Sequence, residues 1–235
     1  MQDLYSDRVM EIGRENNGFY LLKENITVAA TGLFMNKGAE SELWHLRTYA
    51  FQLMSEVGLA GAKSISIPIE LNQKLTTVEY DKHAGVNRDE ELEDIGSYQR
   101  LIGKLLYLTI TIPDLSFTVQ VLSQFMQHPK QSHWNAVLQV VRYVKAAPGL
   151  GILLGTGPID TLSTYYDSNR ASCPNTRRSI TGYVIKLEDS LLSWKSKKQQ
   201  TVSQSSTKAE YRSLAAAATE ITWFLGLLKK LQVDI

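Results

Sequence analysis

Two carboxylates, Asp167 and Glu210, are the residues of this chain best placed to do chemistry. Asp167 closes the run Tyr165-Tyr166-Asp167 at the end of a predicted strand, and Glu210 falls in the first turn of a predicted helix. Between Arg177 and Arg212, eight basic residues stand against three acidic ones. Carboxylates from two elements, set among lysines and arginines, are how a chain begins to hold a divalent cation against a phosphodiester backbone. Hard cations take oxygen ligands, and polyanions release counterions to Lys and Arg. A plainer reading stands beside this one: Asp167 as a strand-end turn residue, Glu210 as a helix-capping residue, and the basic stretch as solvated surface.

The elements that must position these acids come from hydrophobic periodicity. Leu162 to Asp167 and Ile152 to Leu154 read as strands flanking the Gly155-Thr156-Gly157-Pro158 turn, and Ile180–Leu187 and Leu191–Lys195 as a hairpin about Glu188-Asp189-Ser190. A long helix follows, with Tyr211, Leu214, Ala218, Ile221, Leu225 and Leu228 at helical spacing and Thr207-x-x-Glu210 as a capping box. Upstream, three helices are predicted between Ser97 and Lys145. Asp114 and Ser132 cap the second and third, and Tyr107, Phe117, Phe125, Trp134 and Tyr143 read as core. A further helix spans Thr48 to Gly58, and Ile65–Ile69 reads as an edge strand or extended segment limited by Pro68. Gly18–Leu22 and Ile26–Ala30 read as short strands joined by a turn at Lys23-Glu24-Asn25. Glu79 to Gly96, where seven acids face Lys82 and Arg88, reads as an exposed acidic linker. Strands followed by a helix make an α+β class.

Composition narrows the function classes. With 235 residues, 43% of them hydrophobic, the chain is long enough for a sizeable core. No apolar run approaches the roughly 20 residues needed to cross a bilayer, and the first residues lack a secretory pattern, so no membrane role is expected. The single cysteine, Cys173, cannot form an internal disulfide, which fits an intracellular, reducing compartment, cytoplasm or nucleus. Four dispersed histidines form no metal set by spacing.

YYDSN at 165–169, TRRSITGYV at 176–184, SWKSKKQQTVSQSS at 193–206 and AEYRSLA at 209–215 resemble, in order and spacing, the ribonuclease H domain of copia-type LTR retrotransposon Pol polyproteins. Residues 98–154 are similar to the segment following the reverse transcriptase palm in those polyproteins, and 50–75 to the stretch just before it. NNGFYLLK at 16–23 with SELWHLR at 41–47 is similar to the segment preceding the integrase, where His45 would stand at a zinc-binding position. The resemblance thus implies a pre-integrase-like remnant at 1–48, a reverse transcriptase-derived segment and acidic linker at 49–96, a helical post-palm segment at 97–149 and a truncated ribonuclease H-like domain at 150–235. The implied fold is a helical connection-like segment followed by an incomplete ribonuclease H-like mixed sheet with one long helix.

For the site, the resemblance implies that Asp167 and Glu210 are the first two carboxylates of a magnesium (or manganese) centre that cleaves RNA in an RNA–DNA hybrid. The family's remaining acids would fall beyond Ile235, and Asp234 is not assigned to either. Lys195, Lys197, Lys198, Ser205 and Ser206, with Ser203, would contact nucleic acid. The chain departs from the family pattern at Asn169 and Arg170, which replace an acid and a tryptophan, at Lys208, which replaces an acid, and at Ile112, which replaces an arginine. The implied state is an inactive fragment. The alternatives are a catalytically silent nucleic-acid-binding module and a nuclease completed in trans, through self-association or a separate chain.

Overall fold

The structure, a computed structural model, describes residues 12–16, 19–25, 39–70, 73–85, 89–146 and 161–233, with side chains from 48 onward. It divides into two units, 36–151 and 1–35 with 152–235. The expected strands at Ile26–Ala30 and Ile152–Leu154, the Gly155–Pro158 turn, Asp234 and the His45 side chain lie outside the described residues.

In the helical unit, α1 (Ala39–Glu56), α3 (Ile95–Leu108), α4 (Leu115–Leu122) and α5 (Gln131–Ala146) surround one apolar core, and α2 (Val78–Ala84) is short. Tyr98, Leu101, Ile102, Leu105 and Leu108 recur at helical spacing, and all are buried against Leu53, Met54, Leu115, Val119, Val137 and Val141. Gly58, at φ 67°, ends the first helix: Leu59 N–H donates to the Met54 carbonyl at 2.9 Å and Gly58 N–H to that of Ser55 at 3.1 Å, a Schellman turn. The Tyr98 hydroxyl donates to the Leu122 carbonyl at 2.8 Å, so the phenol enters the core with its polar atom satisfied. Ile65–Ile69 carries no strand and is bent at Ser66, Pro68 and Ile69.

Three expectations fail in this unit. The acidic stretch is not a free linker: it contains α2, and Lys130, buried at 3% side-chain exposure, pairs with Asp81 and with Asp89 at 3.2 Å. Composition hid this because the balancing charge lies some forty residues away. The caps also differ. Asp114 occupies the N-cap of α4 without a side-chain cap bond and instead accepts from the Tyr143 hydroxyl at 3.0 Å. Ser132 lies inside α5, whose first turn is served from outside, the Asp89 carboxylate accepting from Ser132 N–H at 3.0 Å. Of the aromatics read as core, Phe125 is buried but Tyr107 (55% exposed) and Phe117 (37%) are not. Tyr107 stays at the surface, edge-on to Tyr49.

The second unit is a five-stranded sheet ordered β1 (Ile12–Asn16), β2 (Phe19–Asn25), β3 (Thr161–Asn169), β4 (Ile180–Leu187) and β5 (Ser190–Lys198), with α6 (Ser206–Lys230) packed on it. It confirms the α+β class, yet every pairing among the described strands is antiparallel where a mixed sheet was expected. The N-terminal hairpin also differs. Its strands are β1 and β2, and Lys23-Glu24-Asn25, expected as a turn, runs within β2 and pairs with Thr161–Ser163. Leu162, Thr164, Tyr166 and Ser168 alternate inward along β3, matched by Ile185, Tyr183 and Thr181 on β4. Leu162, Tyr166, Tyr183 and Ile185 meet Leu214, Ala217 and Ile221 of α6. Fully buried Ala209 and Ala217 let the helix backbone approach the sheet closely.

Candidate active site

Asp167 stands near the end of the central strand β3, opposite Gly182 of β4. Added at Gly182, a Cβ would meet nothing within 4 Å, so the backbone beside Asp167 is open. Glu210 sits in the first turns of α6, over the same end of the sheet. The helix starts earlier than the capping-box pattern predicts: Ser205, extended at φ −136° and ψ 163°, is the N-cap and its Oγ accepts from Lys208 N–H at 3.1 Å. Glu210 is therefore free of the reciprocal capping role, and its side chain turns towards the strand end.

Asp167 acts on Glu210 electrostatically. Burial, and then the negative charge of Asp167, push the Glu210 carboxyl above its ordinary value, while the Ser168 backbone N–H pulls the other way. Glu210 Oε2 is buried without a hydrogen-bond partner. Two carboxylates close enough for one to act on the other, one of them with an orphaned oxygen, have the donor chemistry for a hard divalent cation. The pair fits such an ion as a partial donor set, since no group of three His, Cys, Asp or Glu able to hold a metal ion occurs among the described residues. Lys208, standing where the family pattern has an acid, donates its ammonium to Gln204 Oε1 at 3.0 Å. Arg170, in place of the family's tryptophan, donates to the Gln204 carbonyl at 2.9 Å and ties the turn after β3 to the segment before α6.

The expected nucleic-acid contacts do not form one patch. Lys195 and Lys197, both exposed, pair in register with Tyr183 and Thr181 and so share their face of the sheet. Lys198 pairs with Ile180 on the opposite face, its ammonium 4.0 Å from Cys173 Sγ. Ser205 and Ser206 are exposed at the start of α6, the first already engaged as its cap. Ser203 is 3% exposed and points inward, donating to Gln199 Oε1 at 2.9 Å. It cannot reach a phosphate.

Sequence reasoning missed the buried polar layer beneath the acids. Gln199 Nε2 lies 3.0 Å from both Thr181 Oγ1 and the Ala209 carbonyl and 3.4 Å from Ser168 Oγ, and Thr181 Oγ1 bonds to Ser213 Oγ at 3.0 Å. One signal was present: continuing the strand alternation from Tyr166 and Tyr183 puts Ser168 and Thr181 on the inward face, where polar atoms need partners.

The chain is 37% identical over 189 residues to the retrovirus-related Pol polyprotein from transposon RE2 of Arabidopsis thaliana, 80% of this chain and 12% of that protein. It is 30% identical over 186 residues to the retrovirus-related Pol polyprotein from transposon TNT 1-94 of Nicotiana tabacum, 78% of this chain and 14% of that one. An uncharacterised mitochondrial protein of Arabidopsis thaliana is 32% identical over 206 residues, 87% of this chain and 77% of that protein. The chain therefore spans a small part of the polyproteins it matches. No family model and no solved structure matches it.

Proposed function

We propose, from the premise that this chain belongs to the copia-type, retrovirus-related Pol polyprotein family, that its sheet unit is the ribonuclease H-like part of such a protein and that Asp167 and Glu210 are the metal-facing acids of that site. The observation that carries this reading is the buried, unpartnered Glu210 Oε2, which lies within the electrostatic influence of Asp167. In the ribonuclease reaction a bound magnesium or manganese ion would supply charge neutralisation at the scissile phosphate and a more acidic attacking water. The chain's own residues would orient it: Asp167 from a rigid central strand, Glu210 from a capped helix, and the bare backbone at Gly182 leaving room for a nucleic-acid strand.

Two acids are fewer than a two-metal centre needs, and Asn169 and Lys208 stand where the family pattern carries acids. We therefore assign this chain an inactive, vestigial version of the site, a pseudoenzyme by itself. A labelled RNA–DNA hybrid incubated with the chain and magnesium should show no cleavage above an Asp167→Ala control. Robust cleavage that disappears in that variant would overturn the assignment and favour a site completed by a second chain.

A second reading, a silent nucleic-acid-binding module, is favoured by the exposure of Lys195 and Lys197 on one face of the edge strand. Hybrid binding should then weaken steeply with salt, and Lys195→Ala with Lys197→Ala should flatten that dependence by about two counterions while Lys198→Ala leaves it nearly unchanged. Equal effects from all three lysines would contradict the split faces.

A further inference from the structure

Gln199 bonds to the chain neighbours of both acids. Its side-chain amide reaches Ser168, the residue after Asp167, and the carbonyl of Ala209, the residue before Glu210. The third contact, Thr181 Oγ1, belongs to β4, and the backbone N–H of Gln199 donates to the Ser179 carbonyl at 2.8 Å. The orientation of the amide follows from its partners: the Ala209 carbonyl can only accept, so the NH₂ faces it and the oxygen faces Ser203. Ser203 is held in turn by Arg212, whose Nη1 donates to its Oγ at 2.9 Å and to the Thr201 carbonyl at 3.1 Å. Gln199 is 8% exposed, Ser203 3% and Ser213 0%. A buried polar group at the junction of two strands and a helix is costly unless every atom is bonded, and once bonded it admits a single arrangement.

We propose that Gln199 is a positioning residue, whose amide sets the spacing between Asp167 and Glu210 by tying the strand end that carries one to the helix turn that carries the other. The inference rests on the reading of those acids as the metal-facing pair, and it concerns how they are held. Apolar packing does little to fix this spacing: beside Glu210 it offers only the small methyl of Ala209, and the larger contacts joining α6 to the sheet, Leu214 and Ile221, lie one to three turns further along the helix. At the acids' end of the helix, the inward-facing positions are Ser168, Thr181 and Ser213, and Gln199 is the group that spans them.

The test uses the full-length chain with no metal and no nucleic acid. Four versions, unmodified, Asp167→Asn, Glu210→Gln and the double variant, are compared by native-state hydrogen exchange of the β4 amides at pH 7. The comparison is then repeated with Gln199→Met. With Gln199 present, either neutralisation relieves the same repulsion, so the two gains in protection should fall short of additive by on the order of fivefold. Gln199→Met keeps the volume and removes the bonds, and should bring the two gains close to additive. A merely stabilising role would lower protection in all four versions by one factor and leave the shortfall intact, which overturns the proposal. So does additivity with Gln199 present, because no fixed pair then exists to be held. Ser203→Ala, which removes the bond to Gln199 Oε1 together with the one Ser203 accepts from Arg212, should give an intermediate shortfall. If Gln199→Met does not fold, Ser203→Ala decides alone, an unchanged shortfall overturning the proposal. Manganese binding, measured separately, tests the metal reading: a chain that binds no manganese yet shows the Gln199-dependent shortfall loses that reading and keeps the positioning role.

Discussion

The two units treat buried acids in opposite ways. At the start of α5, Asp81 and Asp89 close around the ammonium of Lys130, with Thr76 donating to Asp81 at 2.6 Å. Burial alone would raise both carboxyls, but the bonds from Lys130, Thr76 and Ser132 outweigh it and hold both below the ordinary carboxylate value. At the strand end of the sheet unit, Asp167 acts on Glu210, and no described salt bridge involves either. Glu210 is driven upward. Where acids serve the fold, the chain supplies a base to meet them. Where two acids are set against each other with an oxygen unpartnered, the arrangement costs stability, and such costs concentrate at sites that answer to a ligand.

The sharpest break in that contrast is Lys130→Met. Methionine keeps the buried stem but leaves two carboxylates around an apolar group, and removing one side of a buried pair is strongly destabilising, by about 3 kcal/mol. Amide exchange should show that loss across α5 and α3. Protection in β3 and β4 should be unmoved. A loss below roughly 1 kcal/mol would show that Asp81 and Asp89 reach water and that the contrast between the units is weaker than drawn.

Acid should separate the units next. His133 is fully buried, stacked on Phe125 at 3.9 Å, its Nδ1 accepting from Lys130 N–H at 2.9 Å and its Nε2 at 3.1 Å from the Thr76 carbonyl. Nδ1 accepts, so the single proton of the neutral ring belongs to Nε2. Burial, and then the charge of Lys130, lower its pKa from 6.5 to about 4. Between those values the unfolded chain binds a proton that the folded one refuses. The contribution of His133 is therefore complete above about 6.5 and is lost as pH falls towards 4, by roughly 3 kcal/mol at most. The lowered Asp81 and Asp89 add to the loss at still lower pH, as their folded values are crossed. Urea midpoints of the helical unit should drop between pH 7 and 4.5, and His133→Gln should flatten that drop. The raised Glu210 has the opposite sign, so the sheet unit should hold or gain over the same interval.

These contrasts were unequally legible in the sequence. Period-2 and period-3.6 patterns sufficed for β3 to β5, for the helices between Ser97 and Lys145 and for placing Asp167 on a strand and Glu210 on a helix, because those signals are local. The Lys130 cluster was illegible, since its members are spread over 76 to 133 and an acidic run reads as solvated until its counter-charge is located in space. Gln199 was illegible for the same reason: a glutamine after three lysines looks like loop surface, and only the approach of Ala209 and Ser168 buries it. The capping box misplaced the helix start because Ser205, Ser206 and Thr207 all offer a capping hydroxyl. The choice fell to Ser205, whose extended backbone lets its Oγ meet Lys208 N–H.

Glu210→Gln is the finest probe of the comparison. A raised folded pKa gives stability that is complete below the ordinary carboxylate value and lost as pH rises through the folded one, so at pH 7 the ionised side chain works against the fold. The amide removes the charge and keeps the shape. Its gain should be small, at most roughly 1 kcal/mol, because part of the side chain meets solvent and is screened there, and it should fade on acidification as the glutamate itself becomes neutral. The same substitution separates structural strain from ligand chemistry. Magnesium or manganese should raise the melting midpoint of the unmodified sheet unit by mass action and leave that of Glu210→Gln nearly where it was. An equal rise in both would place the ion elsewhere and reduce the pair to strain without a ligand. A rise confined to the unmodified chain would show that the acids have kept their affinity for a cation.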